Sequence, residues 1–226
     1  MQIGFFGHSN CAAEGPGTYL TIVAEHFNAK IVNKGTGQGS EERILFTLKK
    51  CHNLDIAVIF HSRPSSLFLP NCSRDFDVTT NIKKKADVIW PGETEENATL
   101  LEAFHGQYGD IKSVFKTPTL FVNCITAYKK YLYHADLHLN RFQGALMLID
   151  SYCASKVPVT IHVIDEKFKP TWLSDFKSGV RSTEIEELKL VYYSADQVCG
   201  ILPEGHQKIS EVLIRLISEQ LENKTT

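Results

Sequence analysis

No stretch of this chain approaches the run of about 20 apolar residues that spans a bilayer, so no membrane anchor is expected. Charge of one sign is lacking as well. The formal net charge is −2, and lysines and acids are mixed along the chain. A phosphate backbone is bound through clustered Lys and Arg, so no nucleic-acid partner is expected. The one basic run, Lys83-Lys84-Lys85, is short enough to be a solvated face. Cysteine pairs are missing too: Cys11, Cys51, Cys72, Cys124, Cys153 and Cys199 form no CxxC, and no His spacing completes a zinc finger. No metal is therefore expected. The N-terminus has neither a basic segment nor an apolar one after it, so no signal peptide is expected and the compartment is expected to be the reducing cytoplasm. The sequons at Asn71, Asn97 and Asn223 are then accidental. Internal repeats and low-complexity tracts are absent.

What is present suits an ordinary globular protein. The 226 residues are 43% hydrophobic and 22% charged. That length fits a single domain over residues 1–226 and can bury roughly 70% of the unfolded surface without staples. Gln2-Ile3-Gly4-Phe5-Phe6 predicts a short buried strand of a parallel sheet. The turn after it, Gly7-His8-Ser9-Asn10-Cys11, places the Ser9 hydroxyl just past the strand's carboxyl end. Ligands and chemistry collect at that edge of an open α/β sheet. Ser9 is a candidate nucleophile, and equally a turn residue that caps the next helix.

A helix is expected from near Thr18, with Tyr19, Leu20, Val23, Ala24 and Phe27 on one face. A strand, Lys30–Asn33, runs into Gly35-Thr36-Gly37-Gln38-Gly39. Its glycines can turn backbone N–H groups toward an oxyanion or make a tight turn. It is neither a Walker loop nor Gly-x-Gly-x-x-Gly. Ser40 predicts an N-cap, with Glu41 and Glu42 in the first helical turn. Asp55–Phe60 is the clearest buried strand and leads into His61-Ser62-Arg63-Pro64. Three strands alternating with helices predict right-handed crossovers and a parallel sheet. A less regular excursion follows at about 67–121, with short helices around Asn97–Phe104. Asn123–Ala154 predicts the longest helix, with Tyr128, Leu132, Ala135, Leu139, Phe142, Leu146, Ile149 and Cys153 as its buried stripe. His134 and His138 could share one face there, but no third metal ligand is apparent. Val157–Asp165 predicts a fourth strand. Leu188–Tyr193 predicts a last short strand or edge. A final helix is expected from Pro203 to about Leu221, with Ile209, Val212, Leu213, Leu216 and Ile217 inward.

Taken together, the chain resembles the SGNH (GDSL-type) hydrolases over nearly its whole length. Ile3-Gly4-Phe5-Phe6-Gly7-His8-Ser9 stands where that family has a strand followed by Gly-Asp-Ser. The Asn33–Gly39 turn resembles the second block, strand Asp55–Phe60 and its turn the third, and Pro203-Glu204-Gly205-His206-Gln207-Lys208-Ile209 the start of the last helix. The opening and the long central helix are similar to small SGNH-like proteins of bacteria and their phages. The resemblance implies a flavodoxin-like three-layer α/β/α sandwich with a central parallel sheet, acting on acyl esters of sugars or lipids without a metal or organic cofactor. It places the nucleophile on Ser9 and the oxyanion donors on the N–H groups of Ser9 and the Gly37–Gly39 turn.

The departures fall on the catalytic residues. His8 replaces the family's Asp. No Asn stands in Phe60–Pro64, where Arg63 is the nearest polar residue for the oxyanion hole. The family's Asp-His pair would fall near Gln197, Val198 and Gly200, and neither member is there. Asp196 is near the acid's place, and His206 matches a non-catalytic helix His. Because a serine needs a base to take its proton, His8, His61 or His206 would have to serve, with Asp196 as an orienting acid. Two readings stay open. One is an esterase or deacylase on a small-molecule or glycan ester, built on Ser9, His206 or His8, and Asp196. The other is a catalytically inactive protein of the same fold with a binding or structural role, such as a component of a phage virion, working as a homo-oligomer or with an assembly partner.

Overall fold

A computed structural model describes residues 1–7, 15–35, 40–62, 66–67, 74–75, 83–84, 88–89, 123, 127, 131, 134–164, 176–192 and 201–225. The main strands are β1 (Gln2–Gly7), β2 (Lys30–Gly35), β3 (Ile56–Phe60) and, later, β8 (Val159–Val163) and β9 (Val180–Ser182). Four two-residue strands lie between: β4 (Ser66–Leu67), β5 (Arg74–Asp75), β6 (Lys83–Lys84) and β7 (Val88–Ile89). The helices are α1 (Tyr19–His26), α2 (Glu41–Leu48), α3 (Ala135–Lys156), α4 (Glu184–Val191) and α5 (Pro203–Thr225).

The main sheet has the order β2-β1-β3-β8-β9, with every pairing parallel. Numbered along the chain, this is the doubly wound order 2-1-3-4-5. β1 and β3 at its centre are apolar on both faces because both are covered. Ile56, Val58 and Phe60 of β3 face a core shared with Tyr19, Leu20 and Val23 of α1 and Ile209, Leu213 and Ile217 of α5. Ala57 and Ile59 face the other way, toward Ile44 and Leu48 of α2 and Ile149 and Cys153 of α3. The architecture is a three-layer α/β/α sandwich around a parallel sheet; the alternation of strands and helices predicts the sheet, and the layers are what the resemblance implies.

The helix starts follow their sequence signals. The Ser40 Oγ accepts the Arg43 N–H at 3.3 Å, with Glu41 and Glu42 in the first turn. Thr18 is the N-cap of α1, although its hydroxyl bonds back to the Gly15 carbonyl rather than to a helical N–H. Pro203 occupies the first position of α5. Within the excursion, β4 pairs antiparallel with β7, and β5 with β6, as two separate two-stranded sheets.

Two expectations are corrected. The helix expected over Asn123–Ala154 does not run unbroken. Asn123, Ala127 and Tyr131 are helical, but His134 is extended (φ −141°, ψ 122°) and begins a new helix that continues to Lys156. The buried stripe is real from Phe142 through Leu146 and Ile149 to Cys153, whereas Leu139 is 36% exposed. Where a strand is expected at Leu188–Tyr193, Leu188–Val191 is instead the end of α4 and Tyr192 its C-cap, while Tyr193 lies outside the described residues. Apolar and aromatic residues in that short run mimic a strand. Yet Ile185, Leu188 and Tyr192 recur at helical spacing and meet the α1–α5 core. The last strand among the described residues, β9, is three residues long. It is set by Gly179, where an added Cβ would lie 1.9 Å from the Thr160 carbonyl oxygen. Only glycine allows the backbone that close to β8. The helices expected around Asn97–Phe104 and the segment with Trp172 lie outside the described residues.

Candidate functional site

Parallel strands end together at the carboxyl edge, and register decides which ends are neighbours. Gly7, the last residue of β1, is the register partner of Gly35, the last of β2, while Phe6 pairs with Ile59 of β3. Gly7 is extended at φ 149°, which only glycine adopts without strain. Ser9 follows Gly7 by two residues and Gly37 follows Gly35 by two, each a chain reach of at most about 7 Å. His8, Ser9, Gly37, Gly39, Arg63 and Asp196 themselves lie outside the described residues.

His206 is described. It sits in the first turn of α5, is 4% exposed, and stacks on the Tyr19 ring with centroids 5.7 Å apart. Its Nδ1 accepts the Tyr19 N–H at 3.4 Å, so it helps satisfy the first turn of α1. Service as a general base through Nδ1 would require that bond to open. The suggested His134–His138 pair is divided by the helix start. His134 lies outside α3 with a 69% exposed side chain, and His138 is buried. Among the described residues no three His, Cys, Asp or Glu side chains gather as a metal site needs.

The most developed polar constellation is one that local sequence signals do not point to. His61 stands one residue past β3, in line with Ala57 and Ile59 on the α2–α3 face, and His162 is inside β8 as the partner of Ile59. The His61 Nδ1 lies 3.0 Å from Oε2 of Glu41, and its Nε2 lies 2.9 Å from Nδ1 of His162. The His162 Nε2 lies 2.7 Å from Oγ of Ser178, whose hydroxyl donates to Oδ1 of Asp150 at 2.7 Å. Both carboxylates receive backbone donors. Glu41 Oε1 accepts the Ser62 N–H, and Asp150 accepts the N–H groups of Lys177 and Ser178 at 3.0 and 2.9 Å. Glu41, His61, His162 and Asp150 are each at most 5% exposed. The Phe176 ring lies flat on His162, with centroids 3.8 Å apart and planes 4° from parallel.

This string joins α2, the end of β3, β8, the turn before β9 and α3. Burial, with His61 alongside, holds the His162 pKa well below its ordinary value, so His162 is neutral. Burial also pushes the nearby Cys153 thiol up to about 12, making it an inert core group.

Ser178–His162–His61–Glu41 has the outline of an activated-serine relay, but its surroundings oppose nucleophilic attack. The Ser178 proton already bonds to Asp150. The N–H groups that could stabilise an oxyanion are bonded to the same carboxylate, whose negative charge would repel one. The string is therefore chemistry of a different kind from the serine site expected at the edge. A signal for it does exist in the sequence: a histidine inside a strand buried on both faces must find a partner.

No helix among the described residues is long and apolar enough to cross a membrane. Comparisons with protein families, with curated proteins and with solved structures give no match for this chain.

Proposed function

We propose that the chain is an SGNH-like serine hydrolase that cleaves an acyl ester, on a glycan or a lipid, at the carboxyl edge of the sheet. The observation that carries this reading is the Gly7–Gly35 register. It starts the segment bearing Ser9 and the glycine-rich segment from adjacent strand ends at one level. A nucleophile and its oxyanion donors require that proximity.

In the proposed reaction, Ser9 Oγ attacks the ester carbonyl while His206 or His8 takes its proton, with Asp196 orienting the base. N–H groups of Ser9 and of the Gly37–Gly39 turn, with Arg63 beside them, hold the oxyanion. The alcohol leaves with the proton, and water then releases the acyl group from Ser9. No metal or organic cofactor enters the reaction, and the reaction belongs in the cytoplasm.

A second reading is favoured by separate observations. Both His61 nitrogens are engaged inside the string, and the His206 Nδ1 is bonded to α1. On α3, Leu137, Met147 and Leu148 are more than half exposed. An inactive protein of this fold that binds a partner or builds an assembly, such as a virion, fits those features. Labelling with a fluorophosphonate probe separates the two. The hydrolase reading expects labelling that disappears in Ser9→Ala. Absence of labelling of the folded protein from about pH 6 to pH 9 would reject it in favour of the inactive one.

A further inference from the structure

The buried string contains four side-chain hydrogen bonds in series: Glu41 to His61, His61 to His162, His162 to Ser178 and Ser178 to Asp150. Each bond needs one hydrogen. Two neutral imidazoles supply one each and the serine hydroxyl supplies one, which makes three. Whichever way the string is polarised, a neutral-histidine string ending in two carboxylates leaves one bond without a proton. We propose that the folded protein holds one additional proton in this string, so that its five side chains together carry a charge of −1 rather than −2.

The geometry also locates that proton. The Ser178 hydroxyl donates to Asp150, so the His162 Nε2–H donates to Ser178, and the His162 Nδ1 accepts from the His61 Nε2–H. Two lone pairs, His61 Nδ1 and Glu41 Oε2, then face each other at 3.0 Å. The fourth proton lies between them, beside the carboxyl edge. The Asp150 end is fixed by the Lys177 and Ser178 N–H groups, and the Glu41 end by the Ser62 N–H. Among the described residues, Cys153 near Asp150 remains a thiol, and Arg181 of β9 is the register partner of His162. The string thus stores a proton that unfolded His and Glu side chains release above about pH 6.5.

The test is Glu41→Gln. A glutamine can keep the bond from the Ser62 N–H and donate its own amide N–H to His61 Nδ1. The variant string is then complete with both histidines neutral and no additional proton. Unfolding constants of the wild type and Glu41→Gln are measured from pH 5 to 9. The proposal expects their ratio to shift tenfold per pH unit in favour of the variant as pH rises, one proton's worth of linkage. A ratio independent of pH overturns it. If Glu41→Gln fails to fold, 15N spectra of the wild-type imidazoles decide. A proton on Nε2 alone of His162 and protons on both nitrogens of His61 near pH 7.5 support the proposal. Neutral single-proton spectra for both rings, with no carboxylic-acid proton at Glu41, reject it.

Discussion

The two faces of the sheet solve the same burial problem with different chemistry. On the α1–α5 face, Ile3, Phe5, Val58, Ile161 and Leu213 pack in a large apolar cluster, with the buried His206 ring stacked on Tyr19 beside it. On the α2–α3 face, the apolar core of Ile44, Ile59 and Ile149 gives way near the carboxyl edge to Glu41, His61, His162 and Asp150. The first face is non-directional and tolerates exchange between side chains of like volume. The second is directional, and each member is held only while its neighbours are present.

The largest effect that would expose this difference is at the polar face. Asp150→Asn turns a donor toward the N–H groups of Lys177 or Ser178, and it is expected to cost about 3–5 kcal/mol, as breaking a buried charged network does. Chemical denaturation measures it, and a cost below that of a surface change would mean the two faces are alike. Next comes the apolar face. Leu213→Ala is expected to lose about 2–5 kcal/mol, but Leu213→Met less than about 1.5 kcal/mol. A conservative change there is thus forgiven where Asp150→Asn, equally conservative in size, is not.

A smaller effect depends on pH. His162 stays neutral in the folded state, whereas an unfolded imidazole binds a proton below about pH 6.5. Stability from neutral His162 is therefore complete above that pH and declines as the medium is acidified. This is expected as a falling denaturation midpoint between pH 7 and pH 5. The smallest effect is chemical. With its thiol raised to about 12, Cys153 is expected to resist iodoacetamide at pH 8 in the native state and to react on unfolding, as read by mass spectrometry.

These contrasts also explain which parts of the structure were legible in the sequence. Strands β1, β2, β3 and β8 announce themselves as apolar runs, and α2 through Ser40 and its first-turn acids, because those signals are local. β9 depends on Gly179 approaching Thr160, a contact between separate elements that leaves no local pattern. The end of α4 reads as a strand because a six-residue window cannot separate a period of 2 from one of 3.6 when most of its residues are apolar. The break at His134 was hidden by a stripe whose spacing continues across it. At the edge, the sequence puts Ser9 and the Gly37–Gly39 turn just past the first two strands; those residues lie outside the described ones, and the structure shows that Gly7 and Gly35 before them are register partners. The polar string was missed for a different reason. Glu41 already had a role as a helix-start acid, His61 as a turn residue and Ser178 as part of an irregular segment. Only the fold brings them together.

The pairing of β3 with β8 has a consequence in polymer terms. These neighbours in the sheet are joined through the whole span from Phe60 to Val159, which contains α3. Closing a flexible loop costs free energy that grows only with the logarithm of its length, about 0.6 kcal/mol per doubling. The Ile56–Val159 register is therefore nearly indifferent to how much chain hangs between Ser62 and His134. Adding or removing a few residues between β3 and β8 is expected to change the cost of closing this pair by only a few tenths of a kcal/mol, about what the logarithm allows.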